Sequence, residues 1–220
     1  VSTVCLPWFA RQRRENGSLV DPFVKATSYV TALGWSFCVA IVCLAHPIVR
    51  VMYGHQWDQS VDVARVLAVF IAVGAPAALC GTALLSSGAV SLIARVTLVV
   101  ALQGLVLVAF GAWQGMMALG LALVASASVG TAIWLRVTCR SIGLPWRALA
   151  PALGKSAAVA AFASVGPLLA VGLYGPYPAA VVMPLLVGGV GGLMGFLGGV
   201  WLLQHPLADE ITHMWSQVSR

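Results

Sequence analysis

The chain has 220 residues, 60% of them hydrophobic and only 8% charged, with a net charge of +6. A soluble domain carries about a quarter charged residues, so this composition excludes an ordinary soluble globular fold. The 5 cysteines show no CxxC or metal-ligand spacing and read as small packing residues rather than a disulfide framework or metal site.

The first ten residues, Val1–Ala10, are apolar with Pro7 among them, too short to span a bilayer and without the basic n-region of a signal peptide. They are expected to be the end of a truncated transmembrane helix, followed by a cytoplasmic loop over 11–25. Four stretches without Asp, Glu, Lys or Arg follow: Ala26–Val49, Val66–Ala94, Val96–Leu135 and Ser156–Ala208. A bilayer core of ~30 Å needs ~20 helical residues. The first two stretches therefore hold one span each, and the last two must each fold back once. Ala112-Trp113-Gln114-Gly115 and Tyr174-Gly175-Pro176-Tyr177-Pro178 supply the fold-backs, with turn formers and interfacial aromatic rings.

The result is an all-α integral membrane protein with spans near 27–46, 64–85, 92–112, 116–136, 156–173 and 179–203. Residues 26–136 form a four-helix transmembrane region, 137–155 a cytoplasmic loop, 156–203 a helix pair and 204–220 a cytoplasmic tail. A barrel is excluded because consecutive positions run apolar and small instead of alternating.

Basic residues orient the spans. With 11–21 cytoplasmic, that side carries Arg11, Arg13, Arg14, Lys25, Arg95, Arg136, Arg140, Arg147, Lys155 and Arg220, and the outer side only Arg50 and Arg65. This is the positive-inside distribution. The net charge is thus spread as topology signal and contact with membrane lipids, and nucleic acid is not an expected partner.

No catalytic constellation, cofactor motif or metal site is expected. His46 and His55 fall on the outer side, whereas His205 and His213 fall on the cytoplasmic side. Asp58 and Asp62 share a helix face as an exposed cap, and Asp209-Glu210 suits a solvated tail helix. No GxSxG, GxGxxG or Walker loop occurs. The spans hold no Asp or Glu to relay a proton or sodium ion. Arg95 is a candidate partner for phosphate or pyrophosphate, and Gln103, eight residues on, is expected to extend its polar stripe inward. The last span carries Gly188, Gly192, Gly195 and Gly199 in small-xxx-small spacing, which predicts close helix packing.

One segment resembles a known family. Val51-Met52-Tyr53-Gly54-His55-Gln56-Trp57, then Ala64-Arg65-Val66-Leu67-Ala68, is similar to a segment that recurs in bacterial polysaccharide-unit flippases. Upstream, Leu6-Pro7-Trp8-Phe9-Ala10-Arg11 resembles the family's Pro-containing helix end, and Phe23-Val24-Lys25-Ala26 with Tyr29 resembles the opening of its next span. The likeness covers about residues 5–70 and points to the C-terminal half of the oligosaccharide-lipid branch of the multidrug/oligosaccharidyl-lipid/polysaccharide flippase superfamily.

The resemblance implies most of one lobe of a two-lobed transporter in the bacterial inner membrane, its partner being a missing N-terminal lobe of the same protein. The implied substrate is an undecaprenyl-pyrophosphate-linked oligosaccharide for exopolysaccharide, capsule or O-antigen. Substrate contacts are expected at Arg95, Gln103, Lys25 and Tyr29, and the family-like motif at Pro7, Tyr53, Gly54 and Trp57. Two alternatives stay open. A multidrug or small-cation exporter of the same superfamily would more naturally place an acid within a span. An integral-membrane glycan enzyme would need catalytic Asp, Glu or His at a membrane mouth.

Overall fold

The structure is a computed structural model and describes residues 9, 11 and 18–207. Pro7, the segment 1–8 expected as a helix end, and most of the tail from 208 onward lie outside the described residues. The described elements are helical, without a strand, and six helices are long and apolar enough to cross a membrane.

Helix α1 runs Val20–Tyr53, well beyond the 27–46 core, because the polar ends continue the hydrogen-bond ladder past the apolar stretch. Its 34 residues reach ~50 Å, more than the ~30 Å hydrocarbon thickness. The expected loop over 11–25 is therefore helical from Val20 onward. After a 3-10 segment, His55–Ser60, the second crossing is broken into α2 (Val61–Gly74), a 3-10 turn (Ala75–Ala77) and α3 (Cys80–Ser86). Pro76 causes the break: it lacks an N–H, and its ring excludes the carbonyl one turn back. Just before this break the Val73 carbonyl accepts the Thr131 hydroxyl at 3.0 Å. A neighbouring helix thus satisfies a backbone group that lipid would leave bare.

Helices α4 (Val90–Gln114) and α5 (Met116–Ile142) form an antiparallel pair linked by Gly115. Gly115 has φ 109°, a conformation open to glycine and costly for other residues. Helices α6 (Trp146–Tyr174) and α7 (Val182–Leu202) complete the set. The segment 137–155, expected as a loop, is helical on both sides of residues 143–145. Apolar runs report the hydrocarbon core, whereas the ends of these helices carry charges into the headgroup layer and remain helical there. Gly143 in the left-handed region closes α5.

The chain divides into two compact units. One comprises Val1–Val30 and Phe70–Leu153. Its core packs Phe23, Leu79, Cys80, Ala83, Leu135, Leu144 and Leu149, together with Phe9. Within it, α4 and α5 pack through small residues. A Cβ on Gly111 would meet the Ala118 carbonyl oxygen at 2.8 Å, and one on Gly104 would meet the Ser126 hydroxyl at 3.0 Å. The opposite face of α4 exposes Leu98, Leu102, Leu105, Val106 and Phe110, as a lipid-facing stripe requires.

The other unit comprises Thr31–Val69 and Gly154–Arg220. Ala32, Val159 and Val200 form one apolar cluster and Ala45, Val49 and Val61 another. Here α6 and α7 cross in backbone contact. A Cβ on Gly191 would lie 2.8 Å from Gly166 Cα, and one on Gly195 would strike the Phe162 carbonyl oxygen. Gly188 faces Leu44 and Ala170, Gly192 faces Pro167, and Gly199 faces Phe162 and Val159, whereas Gly189 and Gly198 face open space.

Candidate functional site

The residues singled out by sequence fall in separate places. In the first unit, Lys25 is exposed on α1 with its Nζ 5.7 Å from the centroid of the Tyr29 ring one turn later. That spacing places the ammonium over the ring face, a cation–π contact of the kind that tolerates partial solvation. Arg95 is exposed near the start of α4. Gln103 does not continue a stripe from it. Gln103 instead points into the α4–α5 seam. Its Nε2 donates to the Val100 carbonyl, the Ser126 carbonyl and the Ser126 hydroxyl, each at 3.2 Å, while its Oε1 is buried with no partner among the described residues. An amide bridging two helices through donor bonds is interhelical glue.

The second unit carries a polar network around the end of α1. Tyr53 and Trp57 flank Gly54, whose φ of 86° ends the helix. The Gly54 N–H donates to the Arg50 carbonyl at 3.0 Å, and the Trp57 N–H donates to the Gly54 carbonyl at 3.2 Å. The Tyr53 and Trp57 ring centroids lie 6.0 Å apart. The spacing Tyr-Gly-x-x-Trp is therefore a helix stop with its own aromatic brace: the glycine is required by φ, and the tryptophan closes the turn.

This stop sets Asp58 opposite Arg50. Arg50 Nη2 donates to Asp58 Oδ2 at 2.7 Å and Nε to Oδ1 at 3.0 Å, a forked pair with both side chains about a third exposed (31% and 35%). His46, one turn before Arg50, is buried with Nε2 3.9 Å from Asp58 Oδ1. Its ring stands edge-on to Tyr177 at 5.1 Å.

Arg65 ties this end together. Its Nη1 donates to Asp62 Oδ1 and to the Tyr177 hydroxyl, both at 3.0 Å, and its Nε donates to the Val42 carbonyl at 3.3 Å. The guanidinium also lies 5.2 Å from the centroid of the Tyr177 ring. One cation thereby links α1, α2 and the α6–α7 connection. Neither aspartate is an uncommitted carboxylate: each accepts from its own arginine.

A buried pair escaped the sequence reading. Ser156 Oγ lies 3.3 Å from His205 Nε2, both buried within the second unit. The two are 49 positions apart, and no motif connects them. His205 Nδ1 also accepts the Leu207 N–H at 3.3 Å, which ties the ring to its own loop. Burial, with a smaller contribution from the Lys155 cation, holds the His205 pKa below the usual imidazole value and favours the neutral form. Among the described residues, no group of three or more His, Cys, Asp or Glu is placed to hold a metal ion.

Residues 1–62 match the family described as polysaccharide biosynthesis protein. The matched segment includes the Tyr53-Gly54-x-x-Trp57 helix stop and the Arg50–Asp58 pair. No curated protein and no solved structure matches the chain.

Proposed function

We propose that the protein is a multi-pass membrane transporter that carries undecaprenyl-pyrophosphate-linked oligosaccharide units across the bacterial inner membrane for polysaccharide biosynthesis. The observation that carries this reading is the match of residues 1–62 to a polysaccharide biosynthesis family, in a chain with six helices able to cross a membrane. Within that match, the residues around Tyr53, Gly54 and Trp57 are those that resemble polysaccharide-unit flippases.

The local chemistry favours transport over catalysis. Asp58 and Asp62 are engaged by Arg50 and Arg65, and His205 is buried against Ser156. A glycan enzyme needs a carboxylate or imidazole free to exchange a proton at the reacting bond, and neither aspartate of this network is one. Moving an amphiphilic substrate needs helices that pack closely and re-pack, for which the α6–α7 glycine crossing provides a surface.

The test is deletion of the gene in its native host. Surface polysaccharide should disappear while lipid-linked repeat units accumulate on the cytoplasmic leaflet. Normal surface polysaccharide in a deletion strain without a second flippase refutes the reading. Loss of the lipid-linked units themselves assigns the protein to synthesis instead of export.

A further inference from the structure

The first unit contains an open cleft of about 740 Å³ at the α5–α6 corner, remote in sequence from the Tyr53–Trp57 segment. Arg136, Cys139 and Arg140 of α5, Gly143 and Pro145 of the connection, and Trp146 of α6 line it. Arg136 and Arg140 are one turn apart, so both guanidinium groups rise from the same helix face.

Among the described residues, no acidic side chain pairs with the charge in this cleft. Between Asp62 and Asp209 the sequence has no acidic residue. Among the described residues, no ion pair or hydrogen bond engages either guanidinium. Like charges at this spacing repel one another. An anion seated between them converts that repulsion into two attractions.

Helix length places the cleft. Counting ~20 residues across the hydrocarbon core from Met116 brings the core edge to about Arg136. Arg140 and the connection then lie one turn farther, in the headgroup layer. Trp146 is 57% exposed, as suits an indole at the membrane–water interface. The volume accommodates a headgroup, while the apolar lining from Ala132 and Leu135 continues toward the acyl region.

We propose that this cleft is a binding site for a phosphate-bearing lipid headgroup, with Arg136 and Arg140 clamping the phosphate oxygens and Trp146 covering the site at the interface. Guanidinium is suited to this task because its planar fork matches phosphate oxygens bidentately and stays charged at any physiological pH. Two lipids offer the required chemistry, an anionic phospholipid and a polyprenyl pyrophosphate. The proposal does not depend on the transport reading.

The experiment is native mass spectrometry of the purified full chain in detergent, titrated in separate arms with phosphatidylglycerol, polyprenyl pyrophosphate and zwitterionic phosphatidylcholine. Wild type should retain one or both phosphate-anionic lipids over phosphatidylcholine, and the arm that binds identifies the source. Arg136→Gln with Arg140→Gln should lower that retention about 10-fold or more, the scale of losing two charged bidentate contacts. The charge-matched control, Arg147→Gln with Lys155→Gln, should stay within about twofold because neither residue lines the cleft.

Arg136→Lys with Arg140→Lys keeps the charge and serves if the glutamine variant does not fold. It should still lose about threefold or more, because the fork is gone. Equal loss in the cleft and control variants reduces the effect to general attraction by a basic surface and overturns the proposal. Undiminished retention in the cleft variants, or equal binding of phosphatidylcholine, overturns it as well.

Discussion

Replacing Gly166 with alanine tests the close crossing of α6 and α7. The new Cβ would lie 2.6 Å from Gly191 Cα and closer still to the Gly191 carbonyl carbon and Gly192 nitrogen. All three are backbone atoms, so no side chain can rotate away. Carbon atoms at rest are ~3.5–4.0 Å apart, and the helices must therefore separate by about 1 Å. A gap of that size forfeits a quarter to a half of each atom pair's dispersion energy of ~0.1–0.2 kcal/mol, across every pair in the seam. In lipid no hydrophobic term offsets this loss, because tails and leucines are equally apolar.

A net cost of about 2–3 kcal/mol follows, within the range for overpacked sites. The higher helix propensity of alanine returns at most about 1 kcal/mol. Gly189→Ala and Gly172→Ala are the controls, since a Cβ at either position meets nothing within 4 Å. Unfolding in mixed micelles with increasing SDS, followed by circular dichroism and tryptophan fluorescence, measures the difference. Gly166→Ala should unfold at a clearly lower SDS fraction than wild type, and the controls at an equal or higher one. Coincident curves for Gly166→Ala and Gly189→Ala would refute the backbone contact and the reasoning built on it.

Four further outcomes are expected. In a double-mutant cycle, Arg50→Ala and Asp58→Ala should couple only weakly, since a partly solvated pair gains little even when forked; strong coupling would show the pair to be dry in the membrane. Ser156→Ala should destabilise the fold by about 1–3 kcal/mol, because it removes the hydroxyl bonded to the buried His205 ring, and an unfolding curve coincident with wild type would refute that contact. Because the folded-state pKa of His205 is depressed, its contribution favours folding above the unfolded imidazole value of ~6.5 and is lost as pH falls through that value toward the folded one; a His205→Gln variant with the same pH slope as wild type in detergent unfolding would remove His205 as the cause. In a background free of native cysteines, an impermeant thiol reagent should label Gln59→Cys but not Ser141→Cys in intact cells, and the reverse pattern would invert the topology.

The sequence by itself determines the class of this protein. Charge-free stretches of 24 to 53 residues leave room only for membrane helices, because unpaired backbone groups are intolerable in lipid and charged side chains are costly there. Hydropathy marks the hydrocarbon core, however, and is silent about where helices continue into the headgroups. The expected loop at 137–155 therefore proves helical but for residues 143–145. Gly54 and Trp57 are recognisable as a motif from sequence, but their physical role as a helix stop requires φ and the hydrogen bonds around it.

Only the tertiary structure decides which polar groups meet. Helical spacing alone suggested a shared stripe for Arg95 and Gln103, but the amide of Gln103 turns to Ser126 because an unpaired amide in lipid costs more than the bend toward a neighbouring helix. Ser156 and His205, or Arg65 and Tyr177, are far apart along the chain and share no periodicity, so nothing local announces their contact. The cleft of Arg136 and Arg140 has the same origin. Their spacing is visible in the sequence, but the corner that encloses them exists only once Gly143 turns the chain and Trp146 starts the next helix beside them.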